Sequence, residues 1–143
     1  PYIYSGGGGK CYGGKLRKDD WTKLDGEVKP MTGLNDFHEA TWVHKRNGVY
    51  YLSYADNNSG ANRLNYATSG SPLGPWKYQG VYLGPTTCDT SHGSIVEYKG
   101  EWHAFYHTSD FSGQGNLRSV CVDKLYYNSD GTIQMVKQTR VLK

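Results

Sequence analysis

The sequence predicts an all-β chain made of repeated four-stranded antiparallel units, the pattern of β-propeller blades. Three observations carry that expectation. The 143 residues include 13 Tyr, 4 Trp and 19 Gly, a composition that suits short strands joined by tight turns. No segment sustains the 3.6-residue apolar period of a helix. A strand–turn–strand pattern also recurs, over residues 42–54 and again over 95–106. Setting Gly48 on Gly100 aligns Tyr50 with Trp102, Leu52 with Ala104 and Tyr54 with Tyr106, an offset of 52 residues.

The elements follow in order. Tyr2–Gly6 opens the chain as a strand, so sequence upstream of Pro1 is expected. Lys15–Arg17 and Glu27–Met31 read as a second pair of runs, with Leu24-Asp25-Gly26 ahead of the latter. The first hairpin is followed by Arg63–Thr68 and Trp76–Leu83 across a Ser-Gly-Ser-Pro-Leu-Gly-Pro turn. The second is followed by Leu117–Leu125 and Thr132–Val136 across Tyr127–Gly131. The unit is four strands in about fifty residues, the range of propeller blades. A β-sandwich of the same strands is the competing architecture, but it does not require so regular a repeat. The chain reads as one incomplete propeller domain over 1–143, with a partial blade 1–36, a blade 37–84 and a blade 85–143. That is about two and a half to three blades, whereas propellers close with about four to eight. Ring closure is therefore expected to need a missing N-terminal half or a homo-oligomer.

Charge and cysteine content narrow the function classes. The net charge is +3, and the 16 Lys and Arg are scattered without the block that marks a nucleic-acid partner. No run approaches the roughly 20 apolar residues of a membrane-spanning helix. Cys11, Cys88 and Cys121 match no zinc spacing; their odd number allows one bridge, and three buried thiols are the favoured expectation.

Ahead of the turns the two hairpins align at an offset of 53, which sets Glu39 on His92. Two ionisable residues thus occupy the same slot, each just before an apolar strand. The first strand of a blade lines the central channel, so both are expected to face it. Glu39 stands among Phe37, Ala40 and Trp42. Such low-dielectric surroundings favour the protonated carboxyl that a general acid needs. By position alone, a surface glutamate at a strand start fits equally well. His92, ahead of Gly93, suits a channel histidine or a structural one. Arg118 enters a strand after a Gly-rich loop and could bind a sugar hydroxyl or orient a carboxylate. Trp42 could stack on a sugar, although core packing is its default. His38 reads as a rim residue and a substrate contact, while His44, His103 and His107 read as structural or rim residues.

These motifs also carry a resemblance. Phe37 to Lys45 with Gly48 to Tyr54 resembles the general-acid blade of glycoside hydrolase family 43. Tyr66-Ala67-Thr68-Ser69 with Ser71 to Trp76, His92 to Glu97 with Trp102 and Phe105-Tyr106-His107, Arg118-Ser119-Val120, and Tyr127 to Ile133 are similar to its following segments. The resemblance implies the C-terminal part of a five-bladed propeller that hydrolyses arabinose or xylose linkages in arabinoxylan with inversion. It implies that Glu39 is the general acid, Arg118 an active-site arginine, and His92 a channel histidine associated indirectly with calcium. It implies a polysaccharide or oligosaccharide partner and a secreted, extracellular or periplasmic location. The family's base aspartate and its second aspartate belong to earlier blades, and no motif here matches either. The chain alone is therefore expected to be inactive, with Asp36, Asp56, Asp89 and Asp110 as loop carboxylates that could in principle stand in for the base. The alternative is a non-catalytic carbohydrate-binding propeller fragment or pseudoenzyme.

Overall fold

The computed structural model describes residues 1–140 and is all-β; among those residues there is no helix. Ten strands form three antiparallel sheets. The first holds β1 (Tyr2–Gly7), β2 (Lys10–Lys15) and β3 (Lys29–Pro30). The second holds β4 (Phe37–Arg46), β5 (Val49–Asp56), β6 (Leu64–Ser69) and β7 (Lys77–Leu83) in sequence order. The third holds β8 (Ser94–Tyr98), β9 (Glu101–Thr108) and β10 (Ser119–Leu125).

The first hairpin of every sheet closes through two residues with positive φ: Gly8-Gly9 at 58° and 80°, Asn47-Gly48 at 48° and 80°, Lys99-Gly100 at 51° and 80°. That geometry matches the right-handed twist of the strands and explains the recurring glycine. The first strands converge, with β1 packed on β4 and β4 on β8.

The middle sheet is buried on both faces. Leu52 and Tyr54 of β5 join Cys11, Met31, Phe37, Ala67 and Trp76 in the core shared with the first sheet. The alternate residues Tyr51 and Ala55 join Leu64, Tyr66, Tyr82, Ile95, Ala104, Tyr106 and Leu125 in the core shared with the third. At the first junction Gly33 has φ 86°, and a Cβ there would lie 1.8 Å from the Trp76 carbonyl oxygen.

Two expected elements differ. The strand expected at Lys15–Arg17 instead runs as β2 and ends on Lys15, because Gly8-Gly9 turns the chain early, and the run at Glu27–Met31 is shortened to the two residues of β3. Thr132–Val136 is not a fourth strand of the third sheet; it makes one bridge, Ile133 to Tyr127. Its apolar residues Ile133 and Val136 are buried, and while Gln134 N–H donates to the Tyr126 carbonyl at 2.9 Å, other backbone groups of the segment reach the neighbouring sheet. Val136 N–H donates to the Tyr82 carbonyl on edge strand β7 at 2.7 Å. Ile133 N–H donates to the Tyr66 hydroxyl at 2.8 Å. The segment thus covers a sheet edge that would otherwise stand open. All three cysteines are free, and burial pushes the Cys11 thiol up to about 12.

Candidate active site

Glu39 sits near the start of β4 between two irregularities in the pairing with β5. Phe37 pairs with Asp56, Glu39 with Ala55 and Trp42 with Ser53, so the register slips on both sides of Glu39. Ala40 carries the second slip with φ 65°, an unfavourable backbone for a residue with a Cβ. Bulges re-aim side chains. Here they bracket the carboxylate.

The surroundings of Glu39 differ from the apolar enclosure expected. Its side chain is 32% exposed, and the ionisable groups beside it are imidazoles. His92 Nε2 lies 3.6 Å and His38 Nε2 3.9 Å from Glu39 Oε1. Both separations are longer than a hydrogen bond but short enough for each imidazole to act on the carboxylate's charge. Phe37 is instead buried against Tyr54, with ring centroids 5.3 Å apart. The slot shared by Glu39 and His92 in the repeat is thus a contact in space.

Trp42 donates its indole N–H to the Ile95 carbonyl at 2.9 Å. It ties the second sheet to the third while its ring remains partly exposed. Arg118 Nη2 donates to the Thr90 hydroxyl at 2.6 Å and Nε to the Gly115 carbonyl at 3.2 Å. It lines a cleft with Thr86–Thr90 and Gly60-Ala61, on the loop that leads into His92. At Gly93 a Cβ would meet Leu64 Cδ1 at 2.5 Å and the Tyr82 hydroxyl at 2.9 Å. His44 is structural, stacked on Tyr51 at 4.7 Å with Nε2 2.7 Å from the Tyr127 hydroxyl. Burial, with Arg46 adding to it, pulls its pKa down to about 3.

The four aspartates weighed as substitute bases are engaged by other partners. Asp56 is buried at the end of β5 and accepts from Arg63 Nε at 2.8 Å, Asn65 Nδ2 at 2.9 Å, Arg63 N–H at 2.8 Å and Asn58 N–H at 3.1 Å. Burial pushes its carboxyl up, but these donors outweigh it and hold it below the usual carboxylate range. Asp36 accepts from Asn57 N–H at 3.1 Å, Asp89 from Thr90 N–H at 3.0 Å, and Asp110 pairs with Arg140 at 3.3 Å.

Sequence reasoning missed His107. Its Nε2 accepts the His92 backbone N–H at 3.1 Å. The signal was available, because His107 falls at the repeat position of Ala55, the register partner of Glu39. No cluster of three or more His, Cys, Asp or Glu able to hold a metal occurs among the described residues.

The chain is similar to known proteins over most of its length. The model of glycosyl hydrolases family 43 matches residues 2–133. A xylosidase/arabinosidase of Bacteroides ovatus is 45% identical over 114 residues, 77% of this chain and 34% of its own length. Among solved structures, an α-L-arabinofuranosidase from Clostridium thermocellum ATCC 27405 superposes with TM-score 0.83 at 38% identity, over 96% of this chain and 49% of that one. A β-xylosidase/α-arabinofuranosidase from a compost microbial metagenome, in complex with xylotriose and in a calcium-free form, superposes with TM-score 0.79 at 35% identity, over 88% of this chain and 42% of that one. The chain thus spans a third to a half of the length of these three proteins, and its three sheets are blades of their propeller fold. With the family model covering residues 2–133, the chain belongs to glycosyl hydrolases family 43.

Proposed function

We propose that this protein hydrolyses arabinose or xylose linkages of xylan or arabinoxylan with inversion, and that Glu39 is the general acid. The observation that supports this reading most is the setting of Glu39: a partly exposed carboxylate, aimed by two bulges and flanked by the imidazoles of His38 and His92. A carboxyl that is reachable yet held beside groups able to exchange protons suits protonation of a leaving-group oxygen. His38, Arg118 and the ring face of Trp42 are the proposed substrate contacts. The xylosidase and arabinofuranosidase relatives favour the pentose substrate class.

An inverting enzyme needs a second carboxylate about 6.5–9.5 Å from the acid, with water between them. Asp36, Asp56, Asp89 and Asp110 are each engaged elsewhere. The proposed base therefore comes from another part of the gene product, and the 143 residues alone are inactive. Action on a plant polymer goes with the proposed secreted or periplasmic location.

Calcium does not fit the residues present as a directly held ion. It takes about six to eight oxygen ligands, whereas Glu39 is flanked by imidazole nitrogens.

The test is the dependence of rate on the leaving group in the intact gene product. Glu39→Gln is expected to lose about 10²–10⁴-fold on xylo- and arabino-oligosaccharides, and far less on a dinitrophenyl pentoside whose leaving group needs no proton. Equal rates for Glu39→Gln and wild type on the oligosaccharides would remove Glu39 from the mechanism.

A further inference from the structure

Glu39 is fixed by its own strand, but the group nearest its carboxylate is not. His92 belongs to no strand and its side chain is 55% exposed. Its ring reaches Glu39 through the course of the backbone leading to it. The segment before it is tied to the body of the protein largely by single hydrogen bonds. Asn62 N–H donates to the Asp89 carbonyl at 3.1 Å. Ser109 bonds Thr87 through its own N–H at 2.8 Å and its hydroxyl at 3.0 Å. Arg118 bonds Thr90 at 2.6 Å. Beyond it, Gly93 is wedged against Leu64 and Tyr82 with no room for a Cβ. Between these fastenings, the bond at His92 itself runs from its N–H to His107 Nε2 at 3.1 Å.

We propose that His107 is a positioning residue, whose Nε2 accepts the His92 N–H and so keeps the His92 imidazole against the Glu39 carboxylate. A backbone N–H can only donate, so Nε2 must carry a lone pair and the ring proton must sit on Nδ1. The tautomer is inferred from this partner. A protonated ring would oppose donor to donor. The surroundings resist that form, since burial lowers the His107 pKa and the charges of Arg118 and His92 lower it further. Nδ1 is buried without a protein partner among the described residues. The ring therefore leaves one nitrogen unpaired while supporting the loop with the other, a costly choice for a residue with only a packing role. Its place on β9, opposite Val120 of β10, fixes the ring to a regular strand pair. At His92 itself the loop takes its position from the sheet through this acceptor.

This inference rests on Glu39 being the general acid, and the experiment separates the two. In the intact gene product, turnover of xylo-oligosaccharides and of dinitrophenyl pentosides is compared for wild type, Glu39→Gln, His107→Leu and His107→Gln. A slackened His92 loop misplaces the acid's neighbour and slows only the steps that need the proton. His107→Leu is expected to lose about 10–100-fold on the oligosaccharides and less than about 3-fold on the activated substrates. His107→Gln keeps an acceptor at similar reach and is expected to recover most of the loss. An equal loss on both substrates, or no loss, overturns the proposal; the first outcome makes His107 structural and the second dispensable. If Glu39→Gln itself shows no leaving-group dependence, the functional reading fails and the role of His107 fails with it. Nitrogen NMR of wild-type protein with labelled histidine checks the inference without any variant. The expected spectrum is a neutral His107 with its proton on Nδ1 and a coupling from the His92 amide to Nε2. A proton on Nε2 overturns it.

Discussion

Replacing Asp56 with Asn changes almost nothing in volume and much in bonding. Oδ1 accepts the backbone N–H of Arg63 and of Asn58, while Oδ2 accepts Arg63 Nε and Asn65 Nδ2. An amide has one oxygen, so whichever way Asn turns, its NH₂ faces two donors. Two hydrogen bonds to a charged acceptor are lost, each worth about 1.5–3 kcal/mol. The Oδ2 side is the cheaper to lose, because the Arg63 side chain is 39% exposed and its guanidinium can turn to water. The net cost is about 3 kcal/mol. At a urea m-value of about 2 kcal/mol/M, the unfolding midpoint falls by about 1.5 M with the slope unchanged. The pH dependence has a definite sign. The folded carboxyl titrates below its unfolded value, so its contribution is complete above the unfolded pKa near about 4 and is lost as pH falls through the folded one. The gap between wild type and Asp56→Asn should therefore be full at neutral pH and close in strong acid. A midpoint shift under about 0.5 M at neutral pH, or a gap that widens in acid, would refute the reasoning. The site should feel the change as well, because Asp56 is the register partner of Phe37, two residues from Glu39.

Three further outcomes follow from single positions. Ala40→Gly should leave stability unchanged or raise it by up to about 1 kcal/mol, since glycine adopts φ 65° freely. Ala40→Val should lower it by more than that, and thermal melts of the pair decide the sign. Gly33→Ala would set a Cβ 1.8 Å from the Trp76 carbonyl at φ 86°, so a loss of about 3 kcal/mol or more is expected; a melting temperature within about 2 °C of wild type would contradict the close approach. His44, with its pKa pulled down to about 3, should stay neutral in a proton NMR titration down to pH about 4.5. Because the unfolded chain takes up that proton near pH about 6.5 and the folded one does not, His44 makes stability fall as pH drops below that value.

The alternation of β5 and the paired turns at Asn47-Gly48 and Lys99-Gly100 are local properties, and they were legible as a repeat before any coordinates. The same repeat aligned Glu39 with His92, which lie 3.6 Å apart in the structure. Other features depend on distances between sheets, which no local pattern encodes. Thr132–Val136 has a strand's apolar residues, yet its backbone caps edge strand β7 of the neighbouring sheet at Tyr82. Asp56 looks like a loop carboxylate in the chain and is a buried acceptor because Arg63 and Asn65 fold back onto it. Ala40 carries no sequence mark of positive φ; the two register slips around Glu39 impose it. The His107–His92 bond likewise joins residues 15 apart that meet only after β8 and β9 have paired. The sequence by itself determined the strands, the turns and the slot of the acid, because these follow from side-chain alternation and backbone preference over a few residues. Tertiary structure alone decided what stands beside that acid, because hydrogen-bond partners are chosen by how whole sheets pack.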